Sequence, residues 1–129
     1  MATIRKEHRT PATADQVWAA FRDYGAPHEK LARGFVVATR LEEGARVVTF
    51  ANGMVFRELL VTMDDAARRL VYAIVGAEGL VHHNASFQVH PDGAGSRVIW
   101  IADVLPDAAA EAISPMMDAG IEALARTIG

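Results

Sequence analysis

Cysteine is absent from the chain, which removes disulfides, thiolate metal sites and cysteine nucleophiles, and leans toward a reducing, cytoplasmic setting. No apolar run approaches the ~20 residues that a bilayer span requires. The first eight residues include Arg5, Lys6 and Glu7 and lack the apolar stretch of a secretion signal. The expectation is a soluble cytoplasmic protein with no stable membrane insertion. Neither sign of charge prevails, since 13 Lys and Arg stand against 16 Asp and Glu, and no segment interleaves basic residues with aromatics. Nucleic acid is therefore not an expected partner. A phosphate-cradling glycine loop, a dinucleotide fingerprint and a Gly-x-Ser-x-Gly elbow are missing too. No cofactor is expected, and no feature specifies an oligomeric state.

What the chain does have is 129 residues, 51% of them hydrophobic, enough for one domain over residues 1–129 that buries roughly two-thirds of its unfolded surface. Ile4 to Thr10 reads as a strand that Pro11 breaks. Thr13 with Gln16 forms a capping box for a helix that runs to Tyr24 and presses Val17 and Phe21 inward. Gly25 and Pro27 end it, and Pro27 to Ala32 predicts a second short helix. Strands follow at Phe35 to Leu41, Arg46 to Phe50, Met54 to Met63, Leu70 to Val75, Val81 to His90 and Arg97 to Leu105. The Gly, Asn, Asp and Pro residues between them are those that tight turns need, so neighbours pair antiparallel.

The last segment is alanine-rich, with Ile113, Met117, Ile121, Leu124 and Ile128 on one face. Pro115 allows two readings: a helix capped by Asp107 that is irregular near Pro115, or a helix that starts there with Ser114 as its cap. Gly120 and the alanines permit a close approach to the sheet. The fold class is α+β, a curved seven-stranded antiparallel sheet wrapped around a long C-terminal helix, with one or two short N-terminal helices. Such a sheet and helix can enclose a hollow interior, and hollow interiors hold ligands.

Period-two alternation orients the strands. His83, Ala85, Phe87 and Val89 point inward while His82, Asn84, Ser86, Gln88 and His90 point out. Trp100 faces inward with Val98, Ala102 and Val104, and Tyr72 with Leu70 and Ile74. If Phe50 and Met54 close the Asn52-Gly53 turn, Val48 falls opposite Phe56 and Arg46 opposite Glu58. Phe50, Met54 and Leu60 share that apolar face, so the two charges must pair.

Adjacent His82 and His83 point to opposite faces, and with His28 and His90 they lack metal-ligand spacing, so no metal site is expected. The candidate catalytic groups are His83, Tyr72 and Glu58, for acid-base work on a ketone. The competing reading is a cavity histidine, an ion pair that braces the hairpin, and aromatic wall. The candidate ligand-lining set is Arg46, Val48, Phe56, Glu58, Tyr72, His83, Phe87, Trp100, Met117 and Ile121.

The layout, together with Val17-Trp18, Arg46 after Gly44, Glu58 with Leu60, Asp64-Asp65 through Arg68, Leu70 and Tyr72, resembles the START-like, Bet v 1-like helix-grip superfamily. Phe87, Val89, Pro91, Gly93, Gly95, Trp100 and Pro106 extend the likeness, more particularly to the bacterial polyketide cyclase/dehydrase and lipid-transport family. The resemblance implies an internal pocket for a small hydrophobic or aromatic ligand, lipid- or polyketide-like. The alternative it leaves open is a cyclase or dehydratase acting in that pocket.

Overall fold

The computed structural model describes residues 2–129, so the first residue of the domain expected over 1–129 lies outside the described residues. The elements run β1 (Ala2–Thr10), α1 (Ala14–Arg22), α2 (Pro27–Lys30), β2 (Val36–Glu42), β3 (Ala45–Phe50), β4 (Val55–Asp64), β5 (Arg69–Val75), β6 (His82–Asp92), β7 (Gly95–Leu105), a 3-10 turn (Asp107–Ala109) and α3 (Ala110–Ile128). The strands form one sheet in the order β1-β7-β6-β5-β4-β3-β2, antiparallel at every pairing. The first strand therefore closes on the last, and α3 packs against the sheet through Ile113, Met117, Ala123 and Leu124. Lys6 on β1 ties that helix down through Asp118 at 2.8 Å and Ser114 at 3.0 Å.

The capping box at α1 is present in both directions. Thr13 Oγ1 accepts from the Gln16 amide at 3.2 Å and Gln16 Oε1 accepts from the Thr13 amide at 3.0 Å. Val17 and Phe21 are fully buried. The helix stops at Arg22, two residues short of Tyr24, because the chain turns there and carries Tyr24 into the core.

The Asn52-Gly53 hairpin has the expected register, with Val48 opposite Phe56 and Arg46 opposite Glu58, and Phe50 N–H donating to Met54 O. Met54 departs from expectation. It is 42% exposed, because β4 pairs with β5 only from Arg57 onward and the hairpin tip lies beyond that pairing.

Other boundaries shift for local reasons. β1 begins at Ala2 because its pairing with β7 continues to Val104. β2 starts at Val36, since the Phe35 and Val36 amides both turn back to Ala32 O. Pro91, read as the start of a turn, sits in β6 opposite Ser96, which leaves Gly93-Ala94 as the tip, with Gly93 at φ 58°. Val81 precedes β6 and is 82% exposed. Pro115 lies inside an unbroken α3. Ser114 does not cap a helix there but accepts from Lys6, and the helical residues open instead with the 3-10 turn at Asp107.

Candidate functional site

Between the concave face of the sheet and α3 lies a cavity of about 100 Å³. Its floor is made by inward residues of β3 to β7, its roof by Ile113, Met117, Gly120, Ile121 and Leu124, and α1 and the segment after it close one end with Phe21, Pro27 and Leu31. Two aromatic groups frame it. Phe87 stacks on Trp100 at 4.6 Å and on Tyr72 at 5.9 Å, with Phe21 tilted against it at 4.7 Å. Phe50 meets Phe35 at 5.0 Å and Phe56 at 5.5 Å, both edge-on. Gly120 is what lets the helix sit so close: a Cβ there would lie 2.9 Å from Trp100 Cζ3 and 3.1 Å from Cη2.

A charged pair crosses the apolar floor. Arg46 Nε donates to Glu58 Oε1 at 2.7 Å, and each residue is only 5% exposed. Burial opposes the charge on Arg46, but the Glu58 carboxylate and the neighbouring Tyr24 more than offset it, so its pKa moves up and the guanidinium stays charged. Tyr24 completes the group. Its carbonyl accepts from Arg46 Nη1 at 3.3 Å, its ring lies 4.1 Å under the guanidinium, and its hydroxyl donates to Glu58 O at 3.0 Å. The sequence had placed Tyr24 only at the end of the first helix. The signal for its second role was an amphipathic side chain at a helix end, where it can turn inward and still need a polar partner.

Tyr72 and His83 stand side by side, ring centroids 5.6 Å apart. The Tyr72 hydroxyl accepts from Trp100 Nε1 at 3.1 Å, and burial pushes its pKa well above the ordinary tyrosine value. The β5–β6 ladder ends at Tyr72 and Ala85. Two residues further along each strand, the Ile74 amide donates to His83 Nδ1 at 3.0 Å, so an imidazole stands in for a backbone acceptor where the strands part. A nitrogen that accepts carries no proton, which puts the proton of the neutral ring on Nε2. Burial, helped by neighbouring His82, lowers the pKa of His83 to about 4.

Each residue of the candidate lining set borders the cavity. The structure adds Phe21, Leu31, Phe35, Phe50, Ile74, Ile113, Met116, Gly120 and Leu124. Most of these sit on helices or at chain turns, where period-two reasoning has no purchase. Among the described residues no three His, Asp or Glu side chains gather as a metal site, and no helix is long and apolar enough to cross a membrane. Beside the cavity, Met54, Val55, the Gly76 to Leu80 loop and the start of α3 line an open groove that shares Phe56, Ile113 and Met116 with it.

A family model described as polyketide cyclase / dehydrase and lipid transport matches residues 1–129. No curated protein matches the chain. Among solved structures, one from Thermobifida fusca is 30% identical with a TM-score of 0.77, covering 97% of this chain and 91% of that one. The di-domain ARO/CYC BexL of the BE-7585A biosynthetic pathway has a TM-score of 0.82 at 15% identity, over 99% of this chain and 46% of its own. The Ara h 8.0201 structure has a TM-score of 0.71 at 15% identity, over 95% and 94%. The last two likenesses are of fold, the Bet v 1-like helix grip.

Proposed function

Because the chain belongs to the polyketide cyclase/dehydrase and lipid transport family, we propose that its cavity binds a small hydrophobic or aromatic ligand between the sheet and α3. The observation that carries this reading is a half-open pocket with aromatic and aliphatic walls and a few fixed polar groups, the usual make-up of a ligand site. At about 100 Å³ it falls below the ~300–1,000 Å³ of drug-sized pockets and is nearer the scale of cavities that take one benzene ring. The ligand this favours is a single ring with a short substituent. A longer polyketide or acyl chain would have to pass Phe56 and Met116 into the adjoining groove.

The acid-base reading has less to work with. His83 is neutral at pH 7 with Nδ1 already accepting, Tyr72 holds its proton well above neutral pH, and Glu58 is paired with Arg46. None of the three is a free base in the ligand-free protein. The chemistry of the site therefore supports holding a ligand ahead of turning it over.

Titration with toluene, followed by amide and methyl NMR shifts, tests the proposal. Saturable shifts centred on Phe87, Trp100 and Met117 are expected, and Ile121→Trp, which fills the space under α3, should abolish them. Shifts that never saturate, or that persist in Ile121→Trp, would overturn it.

A further inference from the structure

The cavity's polar groups differ in what they have left to offer. Arg46 and Glu58 face each other, with Tyr24 taking a further guanidinium hydrogen. Trp100 Nε1 is used by the Tyr72 hydroxyl, which accepts that bond and keeps its own hydrogen beside the cavity. His83 is only half used, because Nδ1 is held by the Ile74 amide while Nε2 has no partner among the described residues. Among the described residues, no side-chain nitrogen or oxygen is both sealed from space and unpartnered. His83 is 5% exposed and lines the cavity, so the space its Nε2–H meets is the cavity itself. The Ile74 bond also fixes which role this ring can play, since turning the ring over would strand a buried backbone N–H, at a penalty comparable to a lost hydrogen bond. His83 thus presents a donor and no acceptor.

We propose that His83 Nε2–H is a specificity-determining donor of the cavity, selecting single-ring ligands that carry an acceptor oxygen, above all a ketone or aldehyde carbonyl, over hydrocarbons of the same shape. This rests on the reading of the cavity as a ligand site. A neutral donor suits a neutral carbonyl better than a carboxylate, whose charge would have to be desolvated beside a guanidinium, Arg46, that Glu58 already neutralises. Filling the cavity with a hydrocarbon leaves the donor buried and unpaired, and a site built to hydrogen-bond discriminates strongly against a ligand that lacks the partner.

The test compares acetophenone with α-methylstyrene, in which a methylene replaces the carbonyl oxygen with little change in shape. The two are titrated by calorimetry into the wild-type protein, His83→Phe and His83→Asn. Phe keeps the ring and removes the donor. Asn can still accept from the Ile74 amide through Oδ1 but is too short to place a donor where Nε2 stood, so it preserves the strand contact if His83→Phe folds poorly. The ratio of acetophenone to α-methylstyrene affinity is expected to fall about tenfold or more in both variants, the size expected when a desolvated donor loses its partner. In the wild type, acetophenone alone should shift the proton on Nε2 downfield. An unchanged ratio with both compounds still bound would overturn the role of His83 and leave the cavity reading standing. Failure of both compounds to bind the wild type would overturn both.

Discussion

Two arginine–carboxylate pairs in this molecule have nearly the same length and opposite circumstances. Arg22 Nε meets Asp65 Oδ1 at 2.8 Å on the outer surface, where α1 touches the turn between β4 and β5, with both side chains more than half exposed. Arg46 Nε meets Glu58 Oε1 at 2.7 Å on the cavity floor, with both side chains almost wholly enclosed. Distance alone would rank them as equals. Environment separates them, because water screens the first pair and its loss can be made good by water, whereas nothing replaces a missing partner in the second. The outer pair fastens a helix to a turn, aided by Trp18 Nε1, which also donates to Asp65 at 2.9 Å. The inner pair holds charge inside an apolar chamber.

The largest expected effect follows from breaking the inner pair on one side. Glu58→Ala should lower stability by about 3 kcal/mol, as should Arg46→Ala, since each leaves a buried charge alone. Equilibrium urea unfolding measures this, and unchanged midpoints would mean that the pair is not buried in solution. The double change Arg46→Met with Glu58→Leu should recover most of the loss, because well-packed apolar residues often replace a buried pair at little net cost. A double variant as unstable as the sum of the singles would show that Tyr24's contacts depend on the charges themselves.

A smaller effect appears with pH. The folded His83 ring takes up its proton only near pH 4, while an unfolded histidine does so near pH 6.5. Between those values the unfolded chain holds more protons, so stability falls as the pH drops through this window and the contribution is absent above about pH 7. Comparing unfolding at pH 7.5 and pH 4.5, His83→Asn should lose about 2 kcal/mol less than the wild type. Equal losses in the two proteins would mean that the ring is solvated.

Gly120→Ala sets two effects against each other. The added methyl would press on Trp100 at about 1–3 kcal/mol, while a better helix former returns up to about 1 kcal/mol. A net loss of about 1 kcal/mol is expected, with weaker toluene binding as the indole is pushed toward the cavity. Stabilisation with unchanged binding would mean that α3 stands further from the sheet. The smallest effect belongs to the outer pair: Asp65→Ala should move the urea midpoint far less than Glu58→Ala, and a comparable shift would undo the contrast between the two sites.

The inner pair was legible in the sequence and the outer one was not. Arg46 and Glu58 follow from one local rule, the register that an Asn-Gly turn imposes on its two strands, and the same period-two logic placed His83, Phe87, Tyr72 and Trp100 on the cavity side. Asp64 and Asp65 were readable only as a turn between two strands. That Asp65 takes hydrogen bonds from Trp18 and Arg22, and that Arg68 reaches Asp15 at 2.9 Å, depends on how a helix docks some fifty residues away in sequence, which no local pattern encodes. Met54 failed for the converse reason, since alternation assigns a face to a residue without saying where the sheet ends. Tyr24 and Phe35 entered the site through chain turns whose geometry comes from tertiary packing.

The central claim, that the space under α3 is a ligand site, is tested most directly by intermolecular NOEs in a methyl-labelled sample saturated with toluene. The account predicts contacts from the ring protons to the methyls of Met117, Ile121 and Leu124 together, which only a molecule inside the cavity could touch at once. Contacts confined to exposed methyls such as those of Val37, Val61 or Val81, or none at all, would contradict it.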